Sequence, residues 1–128
     1  MEKQSETYSI SALAQEFSVT TRTIRHYEDM SLLLPARQGQ TRIYSVTDRT
    51  KLKLILRGKR LGLSLQESRE LINMYAPGHN NIDQLERTLE YIAAQRKKLS
   101  QKLHDIQKML GDLDEAEAGC KRELNNKR

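Results

Sequence analysis

Residues 19–44 read VTTRTIRHYEDMSLLLPARQGQTRIY: a short helix, a turn, a Pro-marked loop and a hairpin, in that order. Thr20 stands before the helix as its candidate N-cap, with its hydroxyl in reach of the Arg22 or Thr23 backbone N–H. Ile24 and Tyr27, three apart, turn one way toward a core, which leaves Thr21, Arg22, Arg25 and His26 facing outward. A helix that opens on hydroxyls and arginines suits a DNA major groove. Arginine can take guanine O6 and N7 with two hydrogen bonds, and threonine can touch a base edge or a phosphate. Leu34-Pro35 closes the helical stretch, because proline disfavours helical geometry in the residue before it. Arg37 and Arg42 then bracket Gln38-Gly39-Gln40-Thr41, a hairpin tip with arginine on both flanks. The competing reading of the stretch is a solvated helix and loop.

Upstream, Ile10, Leu13, Ala14 and Phe17 fall on one helical face, capped by Ser9 or Ser11 and ended by Ser18. Two helices joined by so short a turn form a helix-turn-helix whose second member is the reader. Downstream, Arg42-Ile43-Tyr44-Ser45 forms the returning strand. Thr47 is the expected cap of a third helix, with Asp48 in its first turn and Leu52, Ile55 and Leu56 on its inner face. Gly62 ends that helix, and Ser64-Leu65-Gln66-Glu67 is a capping box opening a fourth. Its seam runs Ser68, Leu71, Ile72, Tyr75, in which Ser68 is out of character. Ala76-Pro77-Gly78 acts as a hinge.

Asn81 is the expected cap of a fifth helix, with Gln84 as its box partner. From there a heptad is strict, with Ile82, Leu89, Arg96, Leu103 and Leu110 at a and Leu85, Ile92, Leu99, Ile106 and Leu113 at d. Such a seam needs a second long helix that the chain lacks, so the chain should dimerise. Arg96, the one charged member, lies near the middle of 82–113. Two Arg96 heads should therefore approach the two-fold axis, costing dimer stability while limiting alternative pairings. The expected layout is a head at 1–76, a hinge at 77–81, a coiled-coil helix at 82–114 and a frayed polar tail at 115–128.

Of 128 residues, 37% are apolar and one is Phe, too little for one large core. Charge is concentrated: between Arg37 and Arg60 stand eight basic residues, among them Lys59 and Arg60, against Asp48 alone. That density implies a polyanion, nucleic acid before anionic membrane. Arg37, Arg42, Lys59 and Arg60 are the expected phosphate contacts. Tyr27 is more core than contact, and Tyr44 is evenly balanced. One cysteine, Cys120, fits a reducing cytoplasm, and the N-terminus lacks the apolar run of a signal peptide. No nucleophile–base pair or phosphate loop suggests an enzyme, and no cofactor is implied.

With these residues placed, the chain resembles the MerR family of bacterial transcription regulators over roughly residues 8 to 114. The likeness is carried by Tyr8-Ser9-Ile10 with Leu13-Ala14, by Thr23-Ile24-Arg25-His26-Tyr27-Glu28, by Leu32-Leu33-Leu34-Pro35-Ala36-Arg37, by Arg42-Ile43-Tyr44 and by Leu61-Gly62-Leu63-Ser64-Leu65-Gln66-Glu67. The stretch 54–65 further resembles the subgroup regulating leucine and isovalerate catabolism. The resemblance implies a mainly α fold: a winged helix-turn-helix DNA-binding head followed by a long helix that dimerises as an antiparallel coiled coil. It implies double-stranded promoter DNA as a partner, distorted or occluded at a palindromic operator, with RNA polymerase at the same promoter. His26 departs from the family's aromatic, Gln40-Thr41 from its Gly-Tyr, and Ser31 from a helix-ending Gly, which makes a left-handed cap costlier by about 1 kcal/mol. Two rival readings stand beside this one. The first is a metal- or thiol-responsive regulator of the same fold, for which His79 and Cys120 would have to pair across a dimer; His104, at b, is solvated. The second is a coiled-coil adaptor with a basic head.

Overall fold

The computed structural model describes residues 6–128. Strand β1 (Thr7–Tyr8) leads into α1 (Ile10–Phe17) and α2 (Thr21–Asp29). A hairpin of β2 (Ala36–Gln38) and β3 (Thr41–Ser45) follows, then α3 (Val46–Arg60), α4 (Leu65–Met74) and α5 (Ile82–Lys127). The three strands form an antiparallel sheet in the order β1-β3-β2, with Tyr8 opposite Tyr44 and Arg37 opposite Arg42. The hairpin turns on Gly39 and Gln40. Gly39 has φ +65°, the left-handed first position for which a two-residue turn selects glycine.

The local signals translate directly into helix ends. The Ser9 and Thr20 hydroxyls accept from the Ala12 and Thr23 backbone N–H groups, and Ser64 and Glu67 form the expected box. The cap of α3 lies two residues earlier than Thr47. Ser45 takes that place and forms a full capping box with Asp48, whose carboxylate accepts from both the backbone and the hydroxyl of Ser45. Asn81 also departs from expectation. Its carbonyl accepts the Leu85 N–H, but its side chain turns back to bond Ala76 and His79 and closes the connecting loop.

Leu13, Ala14, Ile24, Tyr27, Leu32, Leu33, Tyr44, Leu52, Ile55 and Ile72 form one buried cluster, joining both helices of the helix-turn-helix to the hairpin, α3 and α4. Ser68 finds its reason here. It is buried where α4 crosses α3 at Gly58, and a Cβ on Gly58 would lie 2.6 Å from its Oγ. Two small residues let the helices approach. Arg69 on α4 donates to the Met30 carbonyl at 2.8 Å, satisfying an acceptor at the end of α2.

The chain divides into a unit reaching to Tyr91 and a second from Ile92 to Arg128. The first unit therefore takes in the first ten residues of α5. The tail expected to fray is helical: α5 runs 46 residues to Lys127, about 69 Å at 1.5 Å per residue. Its midpoint falls between His104 and Asp105, eight residues beyond Arg96. Most large apolar side chains left exposed lie on the a and d positions of α5.

Ser31 sits in the left-handed region at φ +62° just after α2. Its N–H bonds the Glu28 carbonyl, and the Leu32 N–H bonds the Tyr27 carbonyl. This paired closure favours glycine at Ser31. Ser31→Gly should raise unfolding free energy by about 1 kcal/mol in urea titrations. Unchanged or lower stability would contradict the strain assigned to Ser31.

Candidate nucleic-acid interface

Helix α2 has two faces with different fates. Ile24 is fully buried and Tyr27 nearly so, with burial pushing the Tyr27 phenol pKa up. Arg22, Arg25 and His26 are exposed and Thr21 is half-buried, with no ion pair to any of them among the described residues. Thr20 is exposed, but its hydroxyl is occupied as the cap and by the Thr23 hydroxyl at 2.9 Å. Tyr27, read from the sequence as more core than contact, and Tyr44, evenly balanced there, although both were also candidate DNA contacts, lie in the core. Tyr44 has no exposed surface, and its hydroxyl donates inward to Glu28 at 3.2 Å.

Glu28, on the last turn of α2, collects the hairpin. Its carboxylate accepts from Arg37 Nη2 at 2.8 Å, Arg42 Nε at 2.7 Å and the Tyr44 hydroxyl, with 14% of its side chain exposed. Burial alone would raise its pKa. The Arg42 and Tyr44 hydrogen bonds and the charges of Arg42 and Arg37 outweigh burial and hold it below the usual carboxylate value. Burial, then the Glu28 charge and hydrogen bond, push the Tyr44 phenol up to about 12. Arg37 and Arg42, expected on phosphates, thus meet first at Glu28. Arg37 keeps nearly half its side chain exposed, and Arg42 a quarter.

A third cation of the basic run is also engaged internally. Arg49 binds Glu16 through Nε at 3.0 Å and through Nη2, and its guanidinium lies 5.9 Å from the Tyr8 ring and 5.8 Å from the Phe17 ring. The Arg49 hydrogen bond lowers the Glu16 pKa. What remains is a set on α3: Lys51, Lys53, Arg57, Lys59 and Arg60, without an ion pair among the described residues. Lys59 and His26 line one surface depression, over Tyr27 and Ile55. Lys53, Arg57 and Arg60 line another, beside Phe17. The fold therefore brings the outer face of α2 beside the basic last turn of α3. Lys53 and Arg57 join Arg60 around the second depression, and the signal for them is their share of the basic run.

The seam residues Ile82, Leu85, Leu89, Leu99, Leu103, Ile106, Leu110 and Leu113 are exposed along α5, as is Arg96, while Ile92 is partly covered. His79, His104 and Cys120 are exposed. Among the described residues no three His, Cys, Asp or Glu side chains gather as a metal site. No helix among them is long and apolar enough to cross a membrane.

A family model described as MerR HTH family regulatory protein matches residues 8–75, and one described as MerR, DNA binding, matches residues 49–116. The chain is 37% identical over 68 residues to the HTH-type transcriptional regulator HmrR of Rhizobium leguminosarum bv. viciae, covering 52% of this chain and 53% of that one. It spans about half the length of that relative. It is 30% identical over 108 residues to the HTH-type transcriptional regulator CueR of Escherichia coli, covering 82% of this chain and 77% of CueR. Among solved structures, a MerR family transcriptional regulator from Bacillus cereus matches with TM-score 0.65 and 29% identity over 86% of this chain and 79% of that one. HiNmlR, a MerR family regulator lacking the sensor domain and bound to promoter DNA, shares the fold at TM-score 0.57 and 23% identity, over 82% and 79% of the two chains.

Glu28→Gln should destabilise the head by about 1–3 kcal/mol at neutral pH, since it removes the charge that two guanidinium groups share. The folded pKa of Glu28 is depressed, so its contribution is complete above the ordinary carboxylate pKa. That contribution is lost as pH falls through the depressed value. Urea unfolding of both proteins from neutral to acid pH should show the gap narrowing. Equal stability at neutral pH would contradict the role given to Glu28.

Proposed function

The chain belongs to the MerR family of helix-turn-helix DNA-binding transcription regulators, and from that premise we propose that it binds an inverted-repeat promoter operator as a homodimer. In this reading the outer face of α2, with Thr21, Arg22, Arg25 and His26, enters the major groove. Lys53, Arg57, Lys59 and Arg60 meet the phosphates, and Arg37 at the hairpin reaches flanking backbone. The observation that carries the reading is the asymmetry of α2: one face is locked by Ile24, Tyr27 and Glu28, while the other carries cations without an ion pair among the described residues. The promoter DNA bound by HiNmlR supports the same use of the fold. The dimer acts in the cytoplasm, with RNA polymerase at the same promoter, by distorting or occluding the DNA.

Control of branched-chain amino acid catabolism has the stretch 54–65 as its support. A thiol response would have to run through Cys120, and a metal response through Cys120 with His79. A chelator- or oxidant-sensitive response that disappears in Cys120→Ser would establish that second reading.

Arg22→Ala should weaken binding to the operator by about 1–3 kcal/mol while sparing random duplex, as a bidentate base contact requires. Lys59→Ala should weaken all sequences alike and lower the salt slope by about one. Anisotropy titrations over a range of salt concentrations read both. Equal losses on operator and random DNA for Arg22→Ala would remove it from the reading face.

A further inference from the structure

His26 stands at the edge of the outer face of α2, where that helix meets α3 and α4. It is exposed, and its ring leans on Tyr27, with centroids 5.9 Å apart and planes tilted by 50°. Together with the exposed Lys59 it lines a depression over the buried Tyr27, Ile55 and Ser68. Among the described residues neither His26 nor Lys59 has an ion pair or a side-chain hydrogen bond. Two free donors from different helices thus edge one hollow.

The charges around the imidazole are mostly positive. Lys59 faces it from α3. On its own helix Arg25 precedes it, Arg22 lies one turn back and the exposed Asp29 three residues on, while Glu28 is turned to the hairpin. From α4, Leu65 and Ser68 line the hollow without charge. The charges flanking Ser68 are held elsewhere, Glu67 on the Ser64 backbone and Arg69 on the Met30 carbonyl. Tyr27 is the other titratable group at the hollow, and burial pushes its phenol up, so it stays neutral. A protonated ring is therefore repelled by Lys59, Arg22 and Arg25 until an anion lies between them. A neutral imidazole offers a phosphate one N–H; a protonated one offers two, with charge.

We propose that His26 and Lys59 hold one DNA phosphate between them, so that the grip on duplex DNA tightens as pH falls through the imidazole range. The inference rests on the DNA-binding face of the proposed function and adds its regulation by pH. The sign follows from linkage: the form that binds more tightly carries one more proton, so binding takes up a proton and affinity rises on acidification. Imidazole ordinarily changes charge between about pH 5 and 8. Over that window the brace of the head does not titrate, because Glu28 is held below the usual carboxylate value and Tyr44 is pushed up to about 12. The other histidines lie off this face, His79 in the loop after α4 and His104 on α5.

Anisotropy titrations of the full chain on a mixed-sequence duplex, at about pH 6 and 8 and over a range of salt, test this. Mixed sequence suffices, because a phosphate contact carries no sequence information. The unaltered chain should bind about three- to tenfold more tightly at the lower pH, with a salt slope steeper by about one. His26→Phe, which keeps a ring against Tyr27, should show the weaker affinity at both pH values, and His26→Arg the tighter. Calorimetry in buffers of different ionisation heat should record proton uptake on binding by the unaltered chain and none by His26→Phe. Affinity that ignores pH, or a dependence that survives His26→Phe, would overturn the inference. A chain that prefers its operator equally at both pH values loses the inference and keeps the proposed function. A His26-dependent pH response without preference for any sequence keeps the phosphate pair and removes the operator.

Discussion

One carboxylate holds the head in its working shape. Glu28 ends the helix whose outer face carries Arg22, Arg25 and His26, and it takes Arg37, Arg42 and Tyr44 from the hairpin. The hairpin is also held by β1, by Tyr44 in the core and by the Ser45–Asp48 capping box, and Glu28 is the point at which it is tied to α2. A partly buried ion pair adds little net stability over an apolar replacement, but removing one partner leaves the other charge stranded. The arrangement thus fixes geometry more than it adds stability. With Glu28 in place, Tyr44 can be fully buried without orphaning its hydroxyl, and the core cluster closes around it.

The same carboxylate changes how the basic run is read. Three of its eight cations, Arg37, Arg42 and Arg49, have carboxylate partners within the chain. The charge left for a polyanion is consequently on α3, along the turns that lead to its C-terminus, where the helix dipole also favours cations. The proposed interface is a reading helix flanked by a basic helix end, with the hairpin braced beside it.

Much of this is legible in the sequence because it is local. Capping hydroxyls at Ser9, Thr20 and Ser64, the apolar spacing of Ile10 to Phe17, and the Gly39 turn each act within a few residues. What escapes is set by partners distant in the chain. Nothing around Tyr44 says that its hydroxyl will find Glu28, and nothing around Arg49 announces Glu16 and two aromatic rings. Ser68 made sense only once Gly58 lay against it. Two departures from the local pattern carry signals of their own. Ser45 and Asp48 have the spacing of a capping box, and Thr47, adjacent to the aspartate, is a competing cap in the sequence. Beyond Leu113 the heptad loses its apolar regularity, yet Cys120 and Leu124 keep its phase in a segment of good helix formers.

The central claim is that α2 and α3 present one face to duplex DNA with sequence preference, in two copies. Sequencing the genomic fragments retained by the purified protein as salt is raised tests it most directly. The account predicts a shared inverted repeat whose half-sites lie in successive major grooves, about 34 Å apart, and whose enrichment survives salt that releases bulk DNA. Retention that falls uniformly with salt and leaves no common sequence would contradict it.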